Sequence, residues 1–150
     1  MFSFSLVSPN KTVVTEELES LMVPTPEGQI TVLSGHAPLV TQVAIGELVA
    51  KSKTDTHFIH VAGGLLHITK EHEVILLADR AEHHYEIDIQ RAEEAKARAE
   101  KILGEPANVT SEEVAFATML LEKNLSRINI ARKHAHRRRG PITSEGVLEK

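Results

Sequence analysis

The chain has 150 residues, a formal net charge of −4 and no cysteine or tryptophan, which excludes disulfides, thiolate metal sites and a cysteine nucleophile. With one tyrosine and four phenylalanines, it lacks the aromatic platforms on which proteins stack single-stranded nucleic acid. No apolar run approaches the roughly 18 residues of a membrane span, and the start of the chain does not resemble a signal peptide, so we expect a soluble, intracellular chain with an aliphatic core.

Residues 2–79 alternate between short β-type runs and turn residues. Seven runs are predicted as strands: Phe2–Val7, Leu18–Val23, Gln29–Leu33, Ala44–Lys51, His57–Ala62, Leu65–Thr69 and Glu73–Leu77. Turn residues separate them, and among these we predict that Gly63–Gly64 joins two strands. Short runs at this spacing indicate an antiparallel β-sandwich or barrel over residues 1–86.

The sequence Gly35-His36-Ala37-Pro38 predicts a tight turn between two apolar runs. Gly35 tolerates positive φ, and Pro38 fixes its own φ and favours an extended Ala37. Gly46 is expected to close the run that follows. His36 has no nucleophile or orienting acid nearby in the sequence, so we predict a structural turn and no catalytic residue. A small β-sandwich enzyme that uses His36 remains an alternative.

The sequence pattern becomes helical at Asp88. One apolar stripe ends before Gly104-Glu105-Pro106 and consists of Ala92, Ala95, Ala99 and Ile102. Thr110 and Glu113 have the spacing of a capping box, and a second stripe follows, formed by Val114, Ala117, Leu121, Leu125 and Ile128. We predict an antiparallel two-helix hairpin over residues 87–139, marginal on its own because alanine buries little area, and a disordered tail at 140–150.

Charge is distributed unevenly along the chain. Residues 1–87 carry five Lys or Arg against eleven Asp or Glu, and residues 88–150 carry twelve against ten. The segment 123–139 contains no acid and seven basic residues: Lys123, Arg127, Arg132, Lys133, Arg137, Arg138 and Arg139. One or two charges suffice to complement a helix dipole. The excess favours an acidic partner, with a solvated basic helix end or a nucleic-acid-binding module as alternatives.

The nine histidines do not predict a metal site. His83 and His84 are adjacent, and His134 and His136 lie two apart on a predicted helix, so neither pair points at a common ion from its own element.

Three motifs occur in the order found in one known family: the run Leu33–Leu39 with its Gly-His-Ala-Pro turn, the Gly63–Gly64 pair, and Ile87-Asp88-Ile89-Gln90-Arg91-Ala92. Together they resemble the epsilon subunit of bacterial F-type ATP synthase, which usually has proline at the position of Ser34. The resemblance implies a non-catalytic rotor subunit whose β-sandwich binds the gamma subunit and the c-ring. It also implies a peripheral location on the cytoplasmic side of the bacterial inner membrane.

In this family the hairpin either folds against the sandwich or extends along gamma into the catalytic alpha/beta hexamer, where it inhibits ATP hydrolysis. The resemblance therefore implies inhibitory basic contacts from Arg127, Arg132 and Lys133 to an acidic segment of the catalytic subunits.

The resemblance also implies a regulatory nucleotide site formed by Asp88, Arg91, Ala92, Arg98, Lys123 and Arg127. Lys123 stands where the family has an arginine, and lysine holds phosphate only as a point charge. We therefore expect at most weak regulatory ATP and no other cofactor. Taken without the resemblance, Asp88 is a helix N-cap and Arg91 a surface arginine.

Overall fold

The computed structural model describes residues 1–105 and 108–135, so the predictions for Pro106, Arg137–Arg139 and the tail at 140–150 lie outside the described residues. Eight strands precede two helices: β1 Phe2–Val7, β2 Thr12–Leu18, β3 Ser20–Thr25, β4 Gly28–Leu33, β5 Leu39–Lys51, β6 Thr56–Ile68, β7 Glu73–Ala78, β8 Ala81–His83, α1 Ile89–Gly104 and α2 Ser111–Lys133. A short 3₁₀ helix, His84–Glu86, connects β8 to the segment before α1.

The strands form the predicted sandwich, with hydrogen-bonded order β2-β1-β7-β6-β5-β3-β4 and with β8 paired to β6. Neighbouring strands are antiparallel except β1 and β7, which are parallel. The long strand β6 pairs with β8 over Ile59–Val61 and with β7 over Gly64–Ile68. Successive segments of β6 are therefore paired with different strands on the same edge.

Two glycine predictions are wrong because both positions lie inside strands. Gly46 pairs with Val61 in the middle of β5, and Gly63–Gly64 lies within β6 rather than between two strands. Gly64 has φ of 143°, and a Cβ there would overlap the carbonyl oxygen of Leu77 on β7. Glycine is thus required for the close approach of β6 to β7 and does not break the strand.

Two strand boundaries also differ from the prediction. β5 begins at Leu39, immediately after Pro38, rather than at Ala44. The predicted strand Leu18–Val23 is divided at Glu19, whose backbone N–H donates to the Lys51 carbonyl oxygen at 2.7 Å. The part before Glu19 belongs to β2, a strand that begins at Thr12 and was not predicted. Among the described strands, β2 pairs only with β1, and its outward polar side chains conceal the strand pattern in the sequence.

Among the residues that the structure describes, the main core consists of strand residues alone. Apolar residues alternate with polar ones in β1, so Phe2, Phe4 and Leu6 point inward. The largest fully buried side chains include Leu18, Leu21, Leu48, Ile59, Leu66 and Leu76, and burial of each contributes about 1.5 to 3 kcal/mol. The helices contribute to a separate small cluster of Ile87, Ile89, Ile130 and Ala131. The sandwich core is therefore closed without them.

The predicted helix signals are confirmed. The Asp88 side chain accepts a hydrogen bond from the Arg91 backbone N–H at 3.1 Å, Thr110 and Glu113 form both bonds of a capping box, and α1 ends at Gly104. Ile87 packs with Ile130 and Ala131, so the start of α1 meets the end of α2 and the hairpin is antiparallel.

One residue of the predicted α2 stripe does not face the interior. Leu125 is exposed, whereas Asn124, Ile128, Ile130 and Ala131 are buried. The buried surface changes direction because α2 packs against two neighbours, α1 on one side and strands β5 and β6 on the other. A single helical stripe describes only the first of these contacts.

Candidate functional site

The Gly-His-Ala-Pro turn forms an exposed corner of the sandwich. Gly35 has φ of 85°, as the sequence predicted, and the His36 backbone N–H donates to the Leu33 carbonyl oxygen. The His36 ring donates from Nδ1 to the Ala37 carbonyl oxygen at 2.7 Å. Ala37 and Pro38 are exposed, so the turn presents its shape to the outside of the molecule.

An exposed apolar surface lies next to this turn. Val40 on β5, Leu65 on β6 and Leu77 on β7 are 60%, 41% and 51% exposed. Leu65 is paired with Leu77 and with Gln42, two residues from Val40 on the same face of β5. We call Val40, Leu65 and Leu77 the apolar face. Contiguous apolar patches on soluble proteins mark interaction surfaces.

An ion pair between Arg127 and Glu82 attaches the C-terminal half of α2 to the sandwich. Arg127 Nε and Nη2 donate to the two carboxylate oxygens of Glu82 at 2.7 and 3.3 Å. Nη1 of the same arginine donates to Asn124 Oδ1 at 3.0 Å. The two charged side chains are only 13% and 16% exposed. This is a bidentate, largely desolvated contact.

A second attachment joins the end of α2 to β5 through Glu47. Lys133 Nζ donates to Glu47 Oε1 at 2.8 Å, and His134 Nε2 donates to Oε2 at 2.5 Å. The His134 ring is buried and stacks on Phe58 with centroids 3.8 Å apart. One carboxylate on the sandwich thus bonds two adjacent residues at the end of the helix.

Arg132, the third of the predicted inhibitory residues, links the two helices. Arg132 Nη2 donates to Glu93 Oε2 on α1 at 2.6 Å, with the side chains 62% and 36% exposed. Arg127, Arg132 and Lys133, which the sequence predicts to contact an acidic partner, therefore each contact an acid of their own chain. Sequence reasoning missed the acids. The only signal for Glu47 was a single charge within the otherwise apolar run 43–50.

His60 lies between the two attachment points. It is fully buried on β6, and its Nδ1 lies 3.7 Å from Glu82 Oε2. Burial and the nearby cations Arg127, Lys123 and Arg80 lower the pKa of His60 to about 3. The pKa of Lys123 is lowered by burial and by Arg80 and Arg127, with Glu82 acting in the opposite direction.

The candidate nucleotide residues are distributed over the facing helices. Asp88 caps α1, Ala92 is fully buried, and Arg91 and Arg98 are exposed. Within residues 1–105 and 108–135, neither the Arg91 nor the Arg98 side chain has a hydrogen bond or ion pair. Arg127 is bonded to Glu82 and Lys123 is half-buried. The structure thus places these residues on one hairpin but records no contact that gathers them around a single point.

The described ranges contain no group of three or more His, Cys, Asp or Glu side chains placed to hold a metal ion. Among the helices of the same ranges, none has the length and apolar character needed to cross a membrane.

In comparison with known proteins, the strand-forming and the helical parts of the chain match two domains of the same family. The family model described as ATP synthase, Delta/Epsilon chain, beta-sandwich domain matches residues 1–84, and the long alpha-helix domain of the same family matches residues 86–132. The ATP synthase epsilon chain of Koribacter versatilis is 39% identical over 68% of this chain and 71% of its own length. The epsilon chain of Dehalococcoides mccartyi is 37% identical over 85% and 90%, respectively.

A solved structure supports the fold. A chain in the cryo-EM structure of the Euglena gracilis mitochondrial ATP synthase, comprising OSCP, F1 and c-ring, superposes with a TM-score of 0.74. It is 20% identical in sequence, and the match covers 90% of this chain and 81% of the other.

Proposed function

This chain belongs to the family of ATP synthase delta and epsilon chains and is a rotor subunit of an F-type ATP synthase; we propose that its sandwich binds the rotor while its hairpin restrains ATP hydrolysis. In this proposal the subunit has no catalytic residue of its own and is peripheral, on the cytoplasmic side of the bacterial inner membrane. The comparisons give no support to a nucleic-acid-binding module.

We assign rotor attachment to the sandwich, with the gamma subunit and the c-ring as partners. The apolar face and the exposed Gly-His-Ala-Pro turn are the surfaces available for such contacts. A chain ending after Glu86 should retain binding, because the core of the sandwich contains only strand residues. Co-purification with gamma tests this. A folded 1–86 fragment that fails to bind gamma would contradict the assignment.

The observation that best supports a movable hairpin is the pairing of the three inhibitory candidates, Arg127, Arg132 and Lys133, with acids of the same chain. Arg127 and Lys133 contact Glu82 and Glu47 when the hairpin lies on the sandwich, a state we call docked. Contact with the acidic segment of a catalytic subunit would exchange these partners for external ones. In the docked state the charges of these basic side chains are already neutralised by internal acids, so the side chains are not available to contact a catalytic subunit.

Two matched double variants test this exchange. Glu47→Gln with Glu82→Gln and Arg127→Gln with Lys133→Gln remove opposite partners of the same two ion pairs, Arg127–Glu82 and Lys133–Glu47, and only the first variant leaves the basic side chains available. In the reconstituted complex we expect the acid variant to hydrolyse ATP more slowly than wild type and the base variant to hydrolyse it faster. Equal effects of the two variants on the rate of ATP hydrolysis would show that the basic side chains do not act on the hexamer. Co-purification of each variant with the other subunits is the control for assembly.

We further propose that ATP binds the docked hairpin weakly and regulates its release. Arg91 and Arg98 are exposed on α1 and have no described partner to displace, which supports a role in holding phosphate. Replacement of lysine by a bidentate arginine contact adds about 1 to 3 kcal/mol. Calorimetry should therefore show binding that tightens in Lys123→Arg and is lost in Arg91→Ala. The absence of binding at millimolar ATP in both wild type and Lys123→Arg would contradict a nucleotide role.

A further inference from the structure

The register of the sandwich aligns Glu47, His60 and Glu82 in one row across three strands. His60 on β6 is paired directly with Glu47 on β5 and with Glu82 on β8. Side chains of directly paired residues point to the same face of a sheet. Because the Glu47 and Glu82 carboxylates both bond to α2, the His60 ring also faces the helix. It is fully buried there, and within the described residues neither ring nitrogen has a hydrogen-bond partner.

In the docked state the carboxylate nearest to His60, that of Glu82, is already paired with Arg127. Charged groups face His60 from each surrounding element: Glu47 on β5, Glu82 on β8, Arg127 and Lys123 on α2, and Arg80 in the turn between β7 and β8. Both carboxylates are already bonded to cations or ring N–H groups of α2. Burial is the main reason that the pKa of His60 falls to about 3, and the three cations lower it further.

Release of the hairpin would reverse these conditions, except that Arg80 stays with the sandwich between β7 and β8. Lys123 and Arg127 leave with the helix, Glu47 and Glu82 remain beside His60 without their partners, and water reaches the ring. An accessible histidine between two carboxylates has a pKa of about 6.5 or above. The released state therefore binds a proton at mildly acidic pH, whereas the docked state does not.

We propose that His60 makes docking of the hairpin sensitive to protons, so that acidification releases α2 from the sandwich. The docked state has its full stability above about pH 6.5 and loses it as the pH falls below that value. Because release requires a hairpin that can leave the sandwich, this proposal rests on the proposed function.

The docking equilibrium can be measured on the full chain by energy transfer. The chain has no native cysteine, so dyes can be attached to cysteines placed at the exposed positions Lys53 and Met119. With a pKa of about 3 when docked and about 6.5 when released, the docking constant should fall about tenfold between pH 7.5 and 5.5. His60→Gln and His60→Leu should remove this fall. His67→Gln, an exposed histidine on the same strand, should leave it unchanged.

Two results would overturn the proton-sensing role of His60: a wild-type docking constant that is the same at both pH values, or an equally steep fall in both His60 variants. An NMR titration gives an independent readout if the variants fold poorly. The His60 ring of the docked wild type should remain neutral at pH 5.5, and a ring that is protonated while the dyes still report docking would also refute the proposal.

Failure of the underlying function has a different signature. Arg127→Gln combined with Lys133→Gln and His134→Ala removes the contacts of α2 with both Glu82 and Glu47 without a change of pH, and the dyes should then report a released hairpin. An unchanged dye separation in that variant would contradict the movable hairpin itself. Release in that variant, without an acid effect in wild type, would contradict only the role of His60.

Discussion

The Arg127–Glu82 pair should contribute measurably to the free energy that holds α2 on the sandwich, and a double-mutant cycle can measure its share. The proposed variants are Arg127→Met, Glu82→Gln and the two combined. Removal of one partner leaves a charge that is almost entirely buried, since the two side chains are 13% and 16% exposed. Breaking buried pairs in this way costs about 3 to 5 kcal/mol. Partial exposure to water places our expectation at the lower end, about 3 kcal/mol for each single variant.

The coupling energy is smaller than either single cost, because the double variant leaves no unpaired charge. Two charge-assisted hydrogen bonds, offset by desolvation, give an expected coupling of about 1.5 to 3 kcal/mol. Amide hydrogen exchange of α2, which reports the free energy of local opening, is the assay. The Arg132–Glu93 pair in the same hairpin is the matched control. It is 62% and 36% exposed, so its coupling should not exceed about 1 kcal/mol. Equal couplings for the two pairs would refute the argument from burial.

Three further predictions concern local structure. Gly64→Ala should lower the free energy of unfolding in urea by at least about 3 kcal/mol, because the added Cβ overpacks against β7 and strains the backbone. Gly35→Ala should lower it by about 1 to 2 kcal/mol, because nothing lies within 4 Å of a Cβ at that position. Equal losses for the two variants would contradict the close approach of β6 to β7 at Gly64. Thr110→Ala should lower amide protection in the first turn of α2 by about 1 kcal/mol, with Thr110→Ser restoring it; unchanged protection would exclude the cap. Burial, Glu86 and Asp55 raise the pKa of the sole tyrosine, Tyr85, to about 12. The neutral Tyr85 side chain should therefore stabilise the fold below pH 10, and this contribution should be lost as the pH rises towards 12. A midpoint near pH 10 in an ultraviolet titration of the folded chain would contradict this prediction.

Features encoded by neighbouring residues were predictable from the sequence. The positive φ of Gly35, the Asp88 cap and the Thr110–Glu113 capping box depend on contacts within three residues, and all three occur in the structure. Helix periodicity identified the alanine face of α1, where Ala92 and Ala99 are fully buried. Local backbone chemistry alone determines these elements.

Features that depend on strand register were not predictable. Glu47, His60 and Glu82 are far apart in the sequence and become neighbours only through the pairing of β5, β6 and β8. The Gly63–Gly64 pair has the composition of a turn, and only the proximity of β7 shows why a continuous strand requires it. The exposed Leu125 and the buried Asn124 likewise reflect a second packing partner for α2 that one helical stripe does not reveal.

The parallel pairing of β1 with β7 has a consequence for synthesis of the chain. Ser3 is paired with Glu73, and Val7 with Leu77, so the sheet cannot close until residues near 78 have left the ribosome. Before then β1 has only β2 available as a local partner. Such non-local pairing closes slowly because the intervening loop must be ordered first. The two helices are made after all of the described strands, and we expect them to emerge onto a completed surface rather than to guide its formation.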